Sequence, residues 1–293
     1  MGKGWQVNFN SHTRRSSSLS RIGSKGASRN SFKGSAVILH YQLSQYLSLA
    51  LATFIFVGAL TPIMRKLAIK VGAVDAPNMA RKVQAEPVPY LGGVAIVIGV
   101  FVATYSTVLV EGKDIALAST VLIPAVAMAA MGLADDLRGL KPWPRLIAQT
   151  AVGLIVAGIL IATDTIGTPS QVFLIDAIVT IIWIVGVCNS INFFDNLAGG
   201  AAGTVVVISF FTFLIAFDRG QLMVSALSIV TAGATAGFLI WNRPPAKIYM
   251  GDAGALFLGI IVAVLTIRLN PAIDPNWKSL AIPLFLMAIP LLD

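Results

Sequence analysis

Nine apolar runs divide the chain, and they constrain its fold more than any other feature. They lie at roughly 43–64, 91–110, 115–133, 146–162, 173–188, 200–217, 222–241, 254–268 and 279–292. A helix of about 20 apolar residues crosses a hydrocarbon core ~30 Å thick. Charged residues make up only 12% of the 293 residues, whereas soluble domains carry about 25%. The sequence therefore predicts an all-α, multi-pass integral membrane protein, a polytopic helical bundle with about nine spans.

The excess positive charge of the chain lies in its first 40 residues. The formal net charge is +8, and residues 1–40 hold seven Lys and Arg and no acidic residue. This Ser- and Arg-rich composition is typical of a disordered segment or of an organelle transit peptide, and a start site assigned too far upstream is a third reading. We predict a disordered leader at 1–40 and a transmembrane domain at 41–293. The charge therefore gives no reason to expect nucleic-acid binding.

The loops between the runs differ in their content of Lys and Arg. The loops 65–90, 134–145, 189–199 and 242–252 carry ten of these residues, and the loops on the other side carry four. Basic loops of membrane proteins stay in the cytoplasm. We therefore expect the first set of loops to face the cytoplasm.

Aspartates lie at the ends of three runs on this same side. Asp135 and Asp136 end the third run, Asp195 follows the fifth, and Asp252 precedes the eighth. Adjacent carboxylates at a helix C-terminus repel each other, and the helix dipole disfavours each by ~0.3–1 kcal/mol. Such a pair indicates a bound cation or a proton-transfer site. Ligands that are all oxygen suit Mg²⁺ or Mn²⁺ rather than zinc.

Basic residues follow the aspartate pair within ten positions. Arg138, Lys141 and Arg145 lie at the expected level of the lipid headgroups, where a basic cluster attracts anionic phosphate. Two plainer readings stay open. Arg138 and Lys141 could neutralise a solvated acidic turn, or the whole cluster could serve only to set the topology.

Three asparagines precede or flank Asp195. Asn189, Asn192 and Asn196 are spaced i, i+3 and i+7, which places them on one face of a helix. Polar groups at the edge of a bilayer are costly, so they commonly mark a functional site. The alternative is a polar helix end that is rich in Asn.

Two more segments on the predicted cytoplasmic side carry candidate residues. Asp252 lies between Gly251 and Gly254, which would let a ligand approach the backbone closely, although Asp252 could equally be a helix N-cap. In the first loop, Arg81 and Lys82 could bind a diphosphate or simply anchor the loop.

Taken together, these motifs resemble those of the polyprenyl-phosphate N-acetylhexosamine-1-phosphate transferases, glycosyl transferase family 4. They run in family order from about residue 45 onward. The matching pieces are Arg81-Lys82 with Pro87-Val88-Pro89 and Gly92-Gly93; Gly132 to Leu140 with Pro142 and Gln149; Trp183 to Gly186 with Asn189, Asn192, Phe193 and Asp195; and Tyr249 to Gly254 with Leu256 to Gly259. Each piece alone is weak, but the ordered set is specific.

The resemblance implies an activity and its partners. A polyprenyl phosphate would displace UMP from a UDP-N-acetylhexosamine, with Mg²⁺ as cofactor, at the cytoplasmic face of a bacterial plasma membrane. This reaction begins the synthesis of lipid-linked precursors of the cell wall or of surface polysaccharides. The sequence leaves homodimerisation open.

The resemblance also implies roles for individual residues. Asp135 and Asp136 match the aspartate pair of the family, one of which would bind or deprotonate the lipid phosphate. Asn192, Asp195 and Asp252 match residues around the metal and the diphosphate, and Asp195 is also a candidate catalytic residue. The candidate substrate-binding residues are Arg81, Lys82, Arg138, Lys141, Asn189 and Asn196.

The chain departs from the family pattern at several positions. Ala198 stands where a second Asp is usual, Gln84 where a His is common, and Ala255 where a Ser is common. The chain reaches Asp293 without the His-rich loop of the family, so we expect a transferase domain without that loop and the last span. An inactive or divergent lipid-binding paralogue is the main alternative. A Mg²⁺-dependent membrane prenyltransferase and a transporter are weaker ones.

Overall fold

A computed structural model describes residues 27–75, 87–111, 115–167, 170, 172–273, 279 and 281–292. Side chains are described from residue 43 onward, except at 110 and 111. The chain divides into two compact units, residues 1–43 and 44–293. The described part of the first unit is a helical backbone that begins at Ala27. The features discussed below all belong to the second unit.

The prediction of an all-α bundle is confirmed. The helices are α1 Ala27–Val71, α2 Gly92–Glu111, α3 Ile115–Arg138, α4 Pro142–Ala162, α5 Phe173–Phe194, α6 Gly200–Asp218, α7 Leu222–Asn242, α8 Gly251–Arg268, α9 Ala281–Leu286 and α10 Ala288–Leu292. Two short strands, β1 Val74–Asp75 and β2 Val88–Pro89, pair antiparallel, with Val74 opposite Pro89.

Eight of these helices are long and apolar enough to cross a membrane, within the described ranges. The protein is therefore an integral, multi-pass membrane protein. The predicted count of nine was wrong because the run at 279–292 forms the short helices α9 and α10. Pro290 has no N–H for the carbonyl of Leu286, and its ring would clash with that carbonyl in a continuous helix. Helix α9 accordingly ends at Leu286.

Helix α8 lies at the centre of the bundle. It packs against α2, α3 and α5 and is buried along nearly its whole length. It approaches α3 closely at Gly132, where an added Cβ would lie 2.4 Å from the backbone oxygen of Asp252. Small residues allow such contacts between membrane helices. The glycine thereby brings the last turns of α3 beside the first turn of α8.

The alternation of helix direction gives the bundle two ends. We call the end that holds the C-termini of α3 and α5 and the N-termini of α4 and α8 the carboxylate end. The far end holds the C-termini of α4, α6 and α8 and the N-terminus of α7. At the far end, the N–H of Gly167 donates to the carbonyl of Ile267 at 2.9 Å.

Candidate active site

Asp136 binds the N-terminus of α8 from outside that helix. Its Oδ1 accepts the N–H of Asp252 at 2.9 Å, and its Oδ2 accepts the N–H of Ala253 at 3.1 Å. The first N–H groups of a helix have no partner within the helix and carry a partial positive charge. Helix α3 runs on to Arg138, so Asp136 lies near the negative pole of its own helix. The positive pole of α8 compensates for that placement.

Asp135 faces a different partner, Arg145 of α4. Nη1 of Arg145 lies 3.3 Å from Oδ2 of Asp135 and 2.7 Å from Oδ2 of Asp252. The other oxygen of Asp135 accepts the N–H of Leu140 at 2.6 Å. One guanidinium nitrogen therefore joins a carboxylate from α3 to a carboxylate from α8. Asp135 is buried, and the other two side chains are only about a quarter exposed, so solvent screens these pairs weakly.

Two polar pairs connect α4 to α5. Asn189 donates through Nδ2 to Oε1 of Gln149 at 2.8 Å, and Nη1 of Arg145 lies 3.4 Å from Oδ1 of Asn192. Asn192 also donates to Oδ1 of Asp252 at 2.5 Å. Arg145 and Gln149, four positions apart on α4, thus face Asn192 and Asn189, three positions apart on α5. Asn192 and Arg145 hold both oxygens of Asp252.

Asp195 caps the C-terminus of α5 and joins the same cluster. The backbone N–H of Gly251 hydrogen-bonds to its carboxylate. Desolvation raises the pKa of Asp195 well above its usual range, and the nearby charges of Asp252 and Asp136 raise it further. The N–H of Gly251 acts in the opposite direction because it stabilises the ionised form. Asp136 and Asp195 therefore share the N-terminus of α8.

The turn before α8 depends on Gly251. Its φ is +74°, and an added Cβ would lie 2.7 Å from Oδ2 of Asp136 and from the carbonyl of Tyr90. Tyr90 and Tyr249 border the cluster. Burial raises the pKa of both phenols; the charges of Asp136 and Asp75 raise that of Tyr90 further, and those of Asp75 and Asp195 raise that of Tyr249. Both phenols are therefore neutral donors at ordinary pH.

The other predicted site residues lie apart from these contacts. Arg138 and Lys141 are exposed, and the described residues give neither side chain an ion pair or hydrogen bond. Asn196 follows the end of α5 and donates to the carbonyl of Phe193 at 2.7 Å, so it does not share the helical face of Asn189 and Asn192. Arg81 and Lys82 lie outside the described residues.

Sequence reasoning gave no site role to two residues of α4. Arg145 counted only as part of a basic cluster, and Gln149 only as part of a motif. The signal that could have found them is their spacing of i, i+4 at the start of an apolar run. Gln149 is fully buried, and a buried amide needs a partner on the facing helix.

Comparison with known proteins places these residues in a family. The model of glycosyl transferase family 4 matches residues 118–270, just over half of the chain. The chain belongs to glycosyl transferase family 4. The matched region contains Asp135, Asp136, Asp195 and Asp252, which we call the carboxylate cluster, together with Arg145.

Several relatives have names that describe an activity. The chain is 32% identical over 242 residues to a probable undecaprenyl-phosphate N-acetylglucosaminyl 1-phosphate transferase of Bacillus subtilis, covering 80% of this chain and 65% of the relative. It is 29% identical over 266 residues to a decaprenyl-phosphate N-acetylglucosaminephosphotransferase of Mycobacterium tuberculosis, covering 84% and 65%. A phospho-N-acetylmuramoyl-pentapeptide-transferase of Streptococcus thermophilus is 35% identical over 138 residues, covering 45% and 41%. The chain thus spans between 41% and 65% of the length of these glycosyl transferase family 4 members.

The donors at the carboxylate end are chemically suited to a hard cation. Asn192, Asp195 and Asp252 offer only oxygen ligands, the kind that Mg²⁺ prefers. No three Asp, Glu, His or Cys residues of the described chain are positioned as a metal site. Arg145 instead supplies positive charge to Asp135 and Asp252. A divalent ion on Asp252 would therefore compete with that guanidinium.

Proposed function

We propose that this chain carries the active site for transfer of N-acetylhexosamine 1-phosphate from a UDP-sugar to a polyprenyl phosphate. An oxygen of the lipid phosphate would attack the sugar-bearing phosphorus of the UDP-sugar, and the bond from that phosphorus to the UMP oxygen would break. The products would be a polyprenyl diphosphate sugar and UMP. Relatives named for this type of transfer support the proposal.

The observation that carries the proposal is the convergence of four carboxylates at one helix N-terminus. Asp135 and Asp136 come from α3, Asp195 from the end of α5, and Asp252 from α8. Phosphoryl transfer needs positioning and electrostatic stabilisation more than covalent chemistry. The guanidinium of Arg145 can attract the phosphates, and the carboxylates can hold a cation or accept a proton.

The contacts suggest different roles for the two adjacent aspartates. Asp136 accepts two backbone N–H groups of α8, so we assign it the role of fixing that helix end. Asp135 is held by Arg145, a long side chain that can move towards a phosphate. Asp135 would then accept the proton of a monoprotonated lipid phosphate. General-base catalysis of this kind contributes typically 10²- to 10⁴-fold.

Magnesium is part of the proposal. Asn192, Asp195 and Asp252 would hold it, and the bound ion would neutralise the charge of the diphosphate. The high pKa of Asp195 fits this role, because a nearby cation favours the ionised form of a carboxylate. We place the site at the cytoplasmic face of a bacterial plasma membrane, as the Lys and Arg content of the loops predicts.

The test is transfer of label into lipid. Membranes containing the chain receive undecaprenyl phosphate, Mg²⁺ and labelled UDP-N-acetylglucosamine, with other UDP-N-acetylhexosamines in parallel. We expect lipid-soluble label, reduced about 100-fold by Asp135→Asn. Asp218→Asn is the matched control, because Asp218 is exposed and paired with Arg219 at the far end. Equal label from wild type and Asp135→Asn would refute the assigned role.

The same assay separates the alternatives. A divergent lipid-binding paralogue would give no labelled product with any UDP-sugar, although it would still retain polyprenyl phosphate. A prenyltransferase would transfer its prenyl group to an acceptor with no sugar nucleotide present.

A further inference from the structure

A cleft of about 340 Å³ lies at the far end of the bundle, at the opposite end from the carboxylate cluster. Its walls come from the turn after α4, the start of α7 and the end of α8. The polar lining includes Asp164, Thr165, Gln221, Arg268 and Asn270. Arg268 follows Asp252 by 16 positions along α8, so a rise of about 1.5 Å per residue separates the cleft from the cluster by about 24 Å. The proposed transfer reaction does not use this cleft.

Arg268 is the feature of the cleft that needs an explanation. The residue is only 7% exposed, and Nη1 of its guanidinium is buried without a hydrogen-bond partner among the described residues. Leaving a buried charged donor unpaired is costly. A cation at a helix C-terminus is favoured by the helix dipole, but that effect requires neither burial nor a cleft.

Hydrogen bonds from two sides of the cleft reach the end of α8. Gln221 donates through Nε2 to the carbonyl of Arg268 at 3.0 Å, and its Oε1 accepts the N–H of Asn270 at 3.0 Å. The N–H of Gly167 binds Ile267 from the α4 side. The end of α8 is thus fixed on two sides. A preformed site loses little entropy when it binds a ligand.

The rest of the lining indicates the class of ligand. Leu222, Met223 and Val224 form an apolar wall beside the polar groups, and Leu222 is 65% exposed where α7 begins. A guanidinium prefers oxyanions and commonly binds phosphate through two N–H donors. An apolar wall at the edge of the bilayer suits the glycerol and acyl parts of a lipid.

We propose that this far-end cleft binds an anionic phosphate group through Arg268, and that its source is the headgroup of an anionic phospholipid. Asp164 lies on the rim, and no ion pair joins it to Arg268 in the described part of the chain. Its charge weakens the attraction of the cleft for an anion. An anion should therefore bind well only if it also gains affinity from contacts with the apolar wall, as a phospholipid would.

The test uses the purified full chain in detergent. Phosphatidylglycerol is added at increasing mole fraction, with phosphatidylcholine as the neutral headgroup and inorganic phosphate at matched ionic strength as the free anion. Native mass spectrometry counts retained lipid, and the thermal midpoint reports stabilisation. We expect phosphatidylglycerol to be retained and to stabilise the protein more than phosphatidylcholine does. If inorganic phosphate alone gives the same Arg268-dependent stabilisation, the cleft is a phosphate site whose ligand is the free ion, and the assignment to a lipid headgroup is wrong.

Three variants make the test specific. Arg268→Gln is expected to weaken binding of phosphatidylglycerol about tenfold or more, as for loss of a hydrogen bond to a charged group. Arg219→Gln removes the same charge from the same end but outside the cleft, where Arg219 is exposed and paired with Asp218, and it should leave binding unchanged. Asp164→Asn should tighten binding about twofold to fivefold. Asn also tolerates the φ of +50° found at Asp164.

Several outcomes would overturn the proposal. They are equal retention of phosphatidylglycerol and phosphatidylcholine, equal losses in Arg268→Gln and Arg219→Gln, or no response to either lipid or phosphate. If Arg268→Gln does not fold, Asp164→Asn decides the matter. Unchanged or weaker binding of phosphatidylglycerol by that variant refutes the site.

Discussion

Asp136 on α3 accepts the backbone N–H of Asp252 on α8 at 2.9 Å, across 116 positions of sequence. Through this bond and its neighbour at Ala253, Asp136 caps the N-terminus of α8 from a different helix, as an N-cap side chain does from within the same chain segment. Loss of an N-cap costs about 0.5–2 kcal/mol. The same contact sets the position of the Asp252 carboxylate, so stability and activity are expected to depend on it together.

Asp136→Ala is therefore expected to lower both the thermal midpoint and the transfer of label, whereas Asp136→Asn should retain part of the stability through its remaining carbonyl oxygen. The measurements are a thermal melt and the label-transfer assay, with Asp218→Asn as the control. Full activity in Asp136→Ala would show that this cap does not position the site.

Arg145 should matter through its geometry as well as its charge. Its Nη1 contacts Asp135, Asn192 and Asp252 at once. Lys keeps the charge but lacks the planar fork of donors. We expect Arg145→Gln to reduce label transfer about 100-fold, since it leaves the carboxylates of Asp135 and Asp252 without a cation, and Arg145→Lys to fall between Gln and wild type.

The control for that comparison is Arg219→Gln, which removes an exposed arginine at the far end. If Arg145→Gln transferred label as well as the wild-type protein does, Arg145 would be excluded from the site. If Arg145→Lys matched wild type, charge alone would be sufficient.

Gly251→Ala tests the turn that begins α8. A non-glycine residue in a left-handed conformation costs of order 1–3 kcal/mol, and the new Cβ would lie 2.7 Å from Oδ2 of Asp136. We expect a lower thermal midpoint and reduced transfer. Gly158→Ala in α4 is the matched control, because an added Cβ there meets nothing within 4 Å and Ala favours a helix. Equal melting of the two variants would contradict the assigned strain.

The ionisation of Asp195 is expected to make the stability of the folded protein depend on pH. Its pKa is raised in the folded protein, so the folded state binds its proton more tightly than the unfolded state, where the pKa is about 3.9. Its favourable contribution is complete below that value and is lost as the pH rises through the folded pKa. The chain in EDTA should therefore lose stability as the pH rises above about 4.

Asp195→Asn removes this ionisation. At pH 8 in EDTA we expect its thermal midpoint to exceed that of wild type by about 2–4 °C, the shift produced by 1 kcal/mol in a domain of this size, and its pH dependence to be weaker. If the metal assignment is correct, Mg²⁺ should stabilise wild type and not this variant. Identical pH profiles for the two proteins would contradict the raised pKa.

Local sequence properties predicted most of the fold. Hydropathy placed eight helices because crossing a bilayer depends on a continuous apolar stretch. It failed at 279–292, where Pro290 ends α9 although the composition stays apolar. It also ended the third span too early, since α3 continues through Asp135 and Asp136 to Arg138.

The site was predicted only in part, since its contacts are not local. The aspartates at span ends could be read from the sequence because charges there are unusual. The cap that Asp136 provides could not, because it depends on the packing of α3 against α8. Arg145 had an adequate explanation in membrane topology, so its role emerged only from its distance to Asp135 and Asp252. The roles of Arg81, Lys82, Arg138, Lys141, Asn189 and Asn196 in substrate binding stay predictions.

The most direct test of the account is whether the aspartates of α3 and α8 act as one unit. Label transfer is measured for Asp135→Asn, Asp252→Asn and the double variant, with Asp135→Asn plus Asp218→Asn as an independent pair. Residues that act together give strongly non-additive losses. We predict that label transfer by the double variant is at most about tenfold lower than that of the less active single variant. Losses that multiply, as for two unrelated sites, or wild-type transfer by either single variant, would contradict a shared site at the N-terminus of α8.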